Sequence, residues 1–166
     1  MTLIALKAAG IFAEGGIETE RLLLVEEGCF AGFLPEAEAR NQGIPVREYP
    51  GKLILPGLFD SHIHGALGHD TMDASPEALD AVGRYLLAQG TTSWMPTTVT
   101  ASLEAICRAL QNLAGYVPAA DAARSLGCFV EGPYLTAEHR GAHPTEYLRE
   151  LSDEEFDRLL ASGPMK

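Results

Sequence analysis

Basic residues are scarce. Twelve Lys and Arg stand against 23 Asp and Glu, a net charge of −11, and the few cations (Arg21, Arg40, Arg47, Lys52, Arg84 and Arg108 among them) are scattered. No basic surface is available to neutralise phosphates, so nucleic acid and anionic membrane are excluded as partners. Long apolar runs are missing too: the longest, around residues 53–59, falls far short of the roughly 20 residues that span a bilayer. The opening MTLIALKAAG has no basic leader region or cleavage pattern. Cysteine is limited to Cys29, Cys107 and Cys128, widely spaced and without a CxxC pair, which excludes a disulfide framework and points to a cytoplasmic protein with reduced thiols. All three are expected as small core residues. There is no GxSxG, GxGxxG or phosphate-loop pattern, so nucleophilic-serine and nucleotide chemistry lack their usual scaffolds.

What is present divides in two. Residues 1–55 read as short strands broken by Gly and Glu, a small β module with no helix of any length. From Pro56 the pattern changes. Residues 53–59 form a buried-strand candidate running into His62 and His64. Ser75 is an N-cap, Pro76 suits the first helical position, Leu79, Val82 and Leu86 form a helical stripe, and Gly90 stops it. TTSWMPTTV (91–99) reads as a strand. A second helix from about Ser102 carries Leu103, Ile106, Leu110 and Leu113, and LGCFVEGPYL (126–135) reads as a third strand. Ser152 with Glu155 forms a capping box for a last helix carrying Phe156, Leu159 and Leu160. Strands alternating with helices imply βαβ units and a parallel sheet. The fold class is α/β.

The chemistry-bearing residues cluster at predicted strand ends. His62 and His64, in FDSHIHG (59–65), are at i and i+2 and share one face of a strand. The carboxyl ends of parallel strands are where α/β folds bind ligands, and imidazoles held there are good donors for zinc or another first-row divalent ion. Taken alone, the pair is equally consistent with two half-exposed histidines ending a strand. Asp60 either orients a histidine or simply ends the strand. Glu131 ends the third strand and would face the same mouth, as a ligand to one ion or a bridge between two; in isolation, a solvated strand-end carboxylate is the simpler reading. His143, in the loop RGAHP (140–144), suits substrate contact, or is a surface histidine. His69 and His139 read as surface histidines, Asp70 and Asp73 as turn or cap residues, Trp94 and Tyr134 as packing residues.

Together, PGLFDSHIHG (56–65), GHDTMDAS (68–75), GTTSWMPTTVT (90–100), VEGPYL (130–135) and RGAH (140–143) resemble the N-acetylglucosamine-6-phosphate deacetylases of the amidohydrolase superfamily, in order and spacing, over most of residues 51–146. The resemblance implies part of a small β-sandwich (residues 1–50) followed by the first portion of a metal-bearing (β/α)₈ barrel (51–166). It implies hydrolysis of N-acetylglucosamine 6-phosphate to glucosamine 6-phosphate and acetate, in amino-sugar catabolism. Glu131, His62 and His64 match metal-binding positions, the histidine pair being typical of members that hold a second metal. Ala142 and His143 match the substrate-contacting loop. The implied cofactor is one or two divalent ions, with zinc first and iron, manganese or cobalt as alternatives, and the implied full-length enzyme is a dimer.

The same resemblance implies groups that have no position here. The family's catalytic aspartate and two further metal-binding histidines are expected beyond Lys166, and a complete barrel takes roughly 250 residues. The expectation is therefore an N-terminal fragment of about three βα units that is inactive or nearly so by itself. The alternatives are another amidohydrolase, dihydroorotase- or cyclic-amidase-like, which uses a carbamylated lysine, and a truncated, non-catalytic product acting through self-association.

Overall fold

The computed structural model describes residues 2–166 and divides into two compact units, Met1–Pro56 and Gly57–Lys166. In the first, β1 (Leu3–Ala13) is followed by β2 (Gly16–Glu18), β3 (Arg21–Glu26), β4 (Cys29–Pro35), a short helix α1 (Glu36–Asn41) and β5 (Val46–Ile54). β1 is the spine of a five-stranded sheet. It pairs antiparallel with β3 along Leu3–Leu6 and with β2 along Ile11–Ala13, and parallel with β5. A small core of Ala5, Leu22 and Ala39 is packed by Leu24, Leu34, Ile44 and Val46.

Helix α1 is a correction, since this segment was expected to contain none. Its support is only partly local: Glu36 pairs with Arg40 one turn on and with Lys7 of β1, and Ala39 is fully buried. A six-residue helix is too short to hold by propensity; tertiary contact decides it.

The second unit runs β6 (Leu58–Ile63), a two-residue hairpin pair β7 (Gly65–Ala66) and β8 (His69–Asp70), α2 (Pro76–Ala88), β9 (Thr91–Pro96), α3 (Leu103–Gly115), β10 (Arg124–Ser125) and α4 (Asp153–Ser162). β9 is central in a parallel sheet of order β10-β9-β6. The N-cap serines stand where the sequence puts them, but the capping box expected at Ser152 is only half formed, because the Glu155 carboxylate is taken by Arg149 and Tyr134. Ser75, Ser102 and Ser152 hydroxyls accept from the N–H groups of Ala78, Ala105 and Glu155, each pairing a donor the helix itself leaves open. Asp70 and Asp73 form a reciprocal capping box around one 3₁₀ turn, as cap residues. The inner faces of α2 and α3 bury Leu79, Val82 and Leu86, and Leu103, Ile106, Leu110 and Leu113, against Trp94 and Ala123. Each such aliphatic side chain contributes about 1.5–3 kcal/mol.

Two strand expectations need correction. Residues 53–59 are not one buried strand: Leu53 and Ile54 end β5, residues 55–57 are irregular, and Leu58 and Phe59 begin β6 with more than half of each exposed. Residues 126–135 are not a regular strand either. Gly127, at φ +137°, interrupts the ladder after β10. Leu126 N–H bonds Trp94 O just before it, and the extended chain beyond is held by Phe129 N–H to Pro96 O and Thr98 N–H to Phe129 O. On its other side Cys128 pairs with Pro164 and Lys166.

Cys107 and Cys128 are buried, but Cys29 is exposed, because its strand lies where the small β core does not cover it. Burial pushes the Cys128 thiol up to about 12. Native protein at pH 8 should therefore titrate one thiol rapidly with DTNB and all three in urea. Rapid reaction of two or more without denaturant would contradict the packing. Leu110→Ala should cost about 2–5 kcal/mol, measured by denaturant titration, because Leu110 is fully buried.

Candidate metal centre

His62 lies within β6 and His64 one residue beyond its end; Glu131 follows the extended segment on the far side of β9. The sheet therefore carries three donors from distant stretches of sequence to one end. The Nε2 atoms of His62 and His64 each lie 3.1 Å from Glu131 Oε2. One ligand atom from each of the three residues lies within 4.8 Å of the other two. With metal–ligand bonds of about 2.0–2.2 Å, donors 3.1 Å apart suit neighbouring ligands of one ion. Two imidazoles and a carboxylate also have the chemistry that zinc and other first-row divalent ions select.

Hydrogen bonds set the tautomers. His64 Nδ1 lies 3.1 Å from the Thr97 carbonyl oxygen, which can only accept. Nδ1 therefore carries the proton and Nε2 offers its lone pair toward Glu131. His143 has the opposite assignment. Its Nδ1 accepts from the Thr100 N–H at 3.4 Å, so its Nε2–H donates to Glu131 Oε1 at 3.2 Å. One carboxylate thus faces the His64 lone pair and the His62 Nε2 on one oxygen and the His143 donor on the other. Burial by itself would raise the Glu131 carboxyl, but the His143 hydrogen bond and the three imidazoles hold it below the ordinary glutamate range.

Gly132 fixes how closely this segment approaches β9. Its φ is +68°, and a Cβ there would collide with the Thr100 hydroxyl. Asp60 does not reach an imidazole: its carboxylate accepts from the His62 backbone N–H at 3.0 Å, closing the strand end. His62 is 44% exposed at its side chain and His143 14%, so the loop histidine is the more enclosed.

A cleft of about 680 Å³ opens beside the group, lined by His64, Glu131, Leu135, Arg140, Ala142 and His143 among others. His139 also lies on it, whereas His69 sits on β8 beside Asp73. The segment carrying the cleft wall is tied down by Arg149. Its guanidinium pairs with Glu155 of α4 and donates to the Tyr147 and Ala101 carbonyls, while the Tyr134 hydroxyl donates to the same carboxylate. Neither Arg149 nor the threonines beyond Pro96 stands out in the sequence. The single local signal is the run of hydroxyls after a proline at a strand end.

The solved structures that this chain resembles are amidohydrolase-superfamily enzymes. The N-acetylglucosamine-6-phosphate deacetylase of Pasteurella multocida aligns with a TM-score of 0.84 at 26% identity, over 96% of this chain and 42% of that one. Among curated relatives, the N-acetylgalactosamine-6-phosphate deacetylase of Escherichia coli O157:H7 is 36% identical over 157 residues, 94% of this chain. The N-acetylglucosamine-6-phosphate deacetylase of Bacillus subtilis is 39% identical over 159 residues, 93% of this chain. The chain spans about 40% of the length of each. No family model matches it. The chain is thus a partial-length homologue of curated N-acetylglucosamine-6-phosphate deacetylases, at 33–44% identity.

Arg149 holds the Glu155 carboxyl below its usual value of 4.5. A carboxyl depressed in the folded state stabilises it above the unfolded value, and that stabilisation is lost as pH falls through the folded one. The difference in urea midpoint between the native protein and Glu155→Gln should be largest at pH 6–7 and shrink as pH drops below about 4.3. A difference independent of pH would mean that the pair is not ionic in effect.

Proposed function

We propose that this chain forms part of a metal-dependent deacetylase that hydrolyses the acetamide of N-acetylglucosamine 6-phosphate, releasing glucosamine 6-phosphate and acetate. The observation that carries the reading is the convergence of His62, His64 and Glu131, from distant stretches of sequence, at the end of the sheet. The identity to curated deacetylases across nearly the whole chain supports it. The two units are read as part of a small β-sandwich, over about residues 1–50, and the first portion of a (β/α)₈ barrel, over 51–166.

His62, His64 and Glu131 would hold a divalent ion, zinc by preference. Such an ion polarises a carbonyl and lowers the pKa of water, the two contributions amide hydrolysis requires. His143 presents an N–H to the cleft side of Glu131 and, with Ala142, is assigned to substrate contact. The Thr100 N–H on Nδ1 leaves that imidazole's proton on Nε2, so it could stabilise negative charge without first moving a proton. The three candidate ligands fall one short of the four that tight zinc binding uses. The isolated chain is accordingly expected to bind a divalent ion weakly and to release acetate at background rates.

The galactosamine relative supplies a second reading for the sugar, the C4 epimer, on the same chemistry. A chimera tests both. The matched segment of the Bacillus subtilis relative is replaced by this chain, and acetate release is followed with N-acetylglucosamine and N-acetylgalactosamine 6-phosphates. Activity on the glucosamine substrate is expected, with a loss of at least 10²-fold on Glu131→Gln, in line with a transition-state interaction worth about 2.7 kcal/mol or more. A folded chimera that hydrolyses neither sugar would overturn the reading. One that prefers the galactosamine substrate would select the epimer.

A further inference from the structure

Three hydroxyls follow Pro96 at the end of β9. Those of Thr98 and Thr100 are buried with no hydrogen-bond partner among the described residues. Thr97, equally buried, uses every polar group it has. Its N–H donates to the Ile63 carbonyl at 2.9 Å. Its hydroxyl accepts from the Ile63 N–H at 3.1 Å and donates to the Met95 carbonyl at 3.1 Å. Its own carbonyl accepts from His64 Nδ1 at 3.1 Å.

The register explains why this is needed. β6 and β9 run in parallel, but their pairing slips between Asp60 and Ile63, leaving Ile63 opposite Pro96. Pro96 turns its carbonyl to the Phe129 N–H on the other side, so beyond the slip Ile63 meets the polar groups of the residues flanking the proline, Met95 and Thr97. Ile63 is the residue between His62 and His64. Thr97 grips it from both sides, amide to carbonyl and hydroxyl to amide, and grips the second imidazole as well.

We propose that Thr97 is a positioning residue for the candidate metal centre: its hydroxyl links the Ile63 N–H to the Met95 carbonyl just past the register slip and so sets the spacing between His62 and His64. The inference rests on the metal reading for its consequence, not for its geometry. Groups one step removed from a metal ligand typically change affinity by 10–100-fold when lost.

The test compares the native chain with Thr97→Val, which keeps the shape and removes the hydroxyl, and Thr97→Ser, which keeps the hydroxyl. Two quantities are read on folded, metal-free protein at 10 °C: Co²⁺ affinity by titration, and exchange of the Ile63 amide by NMR. Thr97→Val is expected to bind Co²⁺ 10–100-fold more weakly and to lose protection at Ile63. Thr97→Ser is expected to stay within about threefold of native with Ile63 protected. A merely structural role would lower the melting temperature of Thr97→Val and leave Co²⁺ affinity within threefold, which would overturn the proposal. If Thr97→Val does not fold, the native protein decides: a fast-exchanging Ile63 amide sinks the clamp, and a protected one upholds it. Absence of any Co²⁺ binding by the native chain would instead defeat the metal reading. The clamp would then stand or fall on Ile63 exchange.

Discussion

Three imidazole nitrogens meet the two oxygens of one carboxylate, and the arrangement of the α/β unit follows from bringing them there. Glu131 sits 67 residues beyond His64 in the chain, so nothing local can place it. A parallel sheet can, because its strands all deliver their carboxyl ends to one edge. β9 is the part on which this depends: it pairs with β6 on one side and with β10 and the Phe129 segment on the other. Residues at its end then supply the Thr97 carbonyl to His64 and the Thr100 N–H to His143. The two histidines receive opposite tautomers from one four-residue stretch of backbone, which is why one can offer a lone pair and the other a proton.

The division of labour between loop and scaffold is also plain. The metal candidates lie on or against the sheet, whereas Ala142 and His143 lie on a long irregular segment. That segment would be costly to order by itself. It is held at one end by Gly132, whose left-handed backbone allows close approach to Thr100, and at the other by the Arg149–Glu155–Tyr134 cluster. The Arg149 contacts reach both α4 and the residues before α3, so the wall of the cleft is braced by the helical layer.

Much of this was legible in sequence where the cause is local. Ser75, Ser102 and Ser152 mark their helices because a cap is a matter of a few neighbouring residues, and the Leu and Ile stripes mark the buried faces. His62, His64 and Glu131 could be singled out because each ends an apolar run. What was missed has non-local causes. Helix α1 depends on Lys7 and on burial of Ala39. The run over residues 53–59 is divided between two units, and residues 126–135 look like a strand by composition but lose their ladder at Gly127. Thr97 was hidden for another reason. A threonine in TTSWMPTTV is fully explained by strand propensity, and only the register slip opposite Pro96 gives its hydroxyl a second use. Asp60 was open in sequence between orienting an imidazole and ending the strand, and its carboxylate, on the His62 N–H, does the second.

Trp94 is the only tryptophan in the chain. It lies at the centre of the α/β unit, fully buried, with its indole N–H on the Ala123 carbonyl at 3.3 Å. Its emission therefore watches one half of the molecule and is blind to the sheet built around β1. Backbone signals watch both. Where the tryptophan curve and the backbone curve coincide on unfolding, the two units melt together. Where they separate, the gap between them measures how independently the α/β unit and the β unit hold their folds.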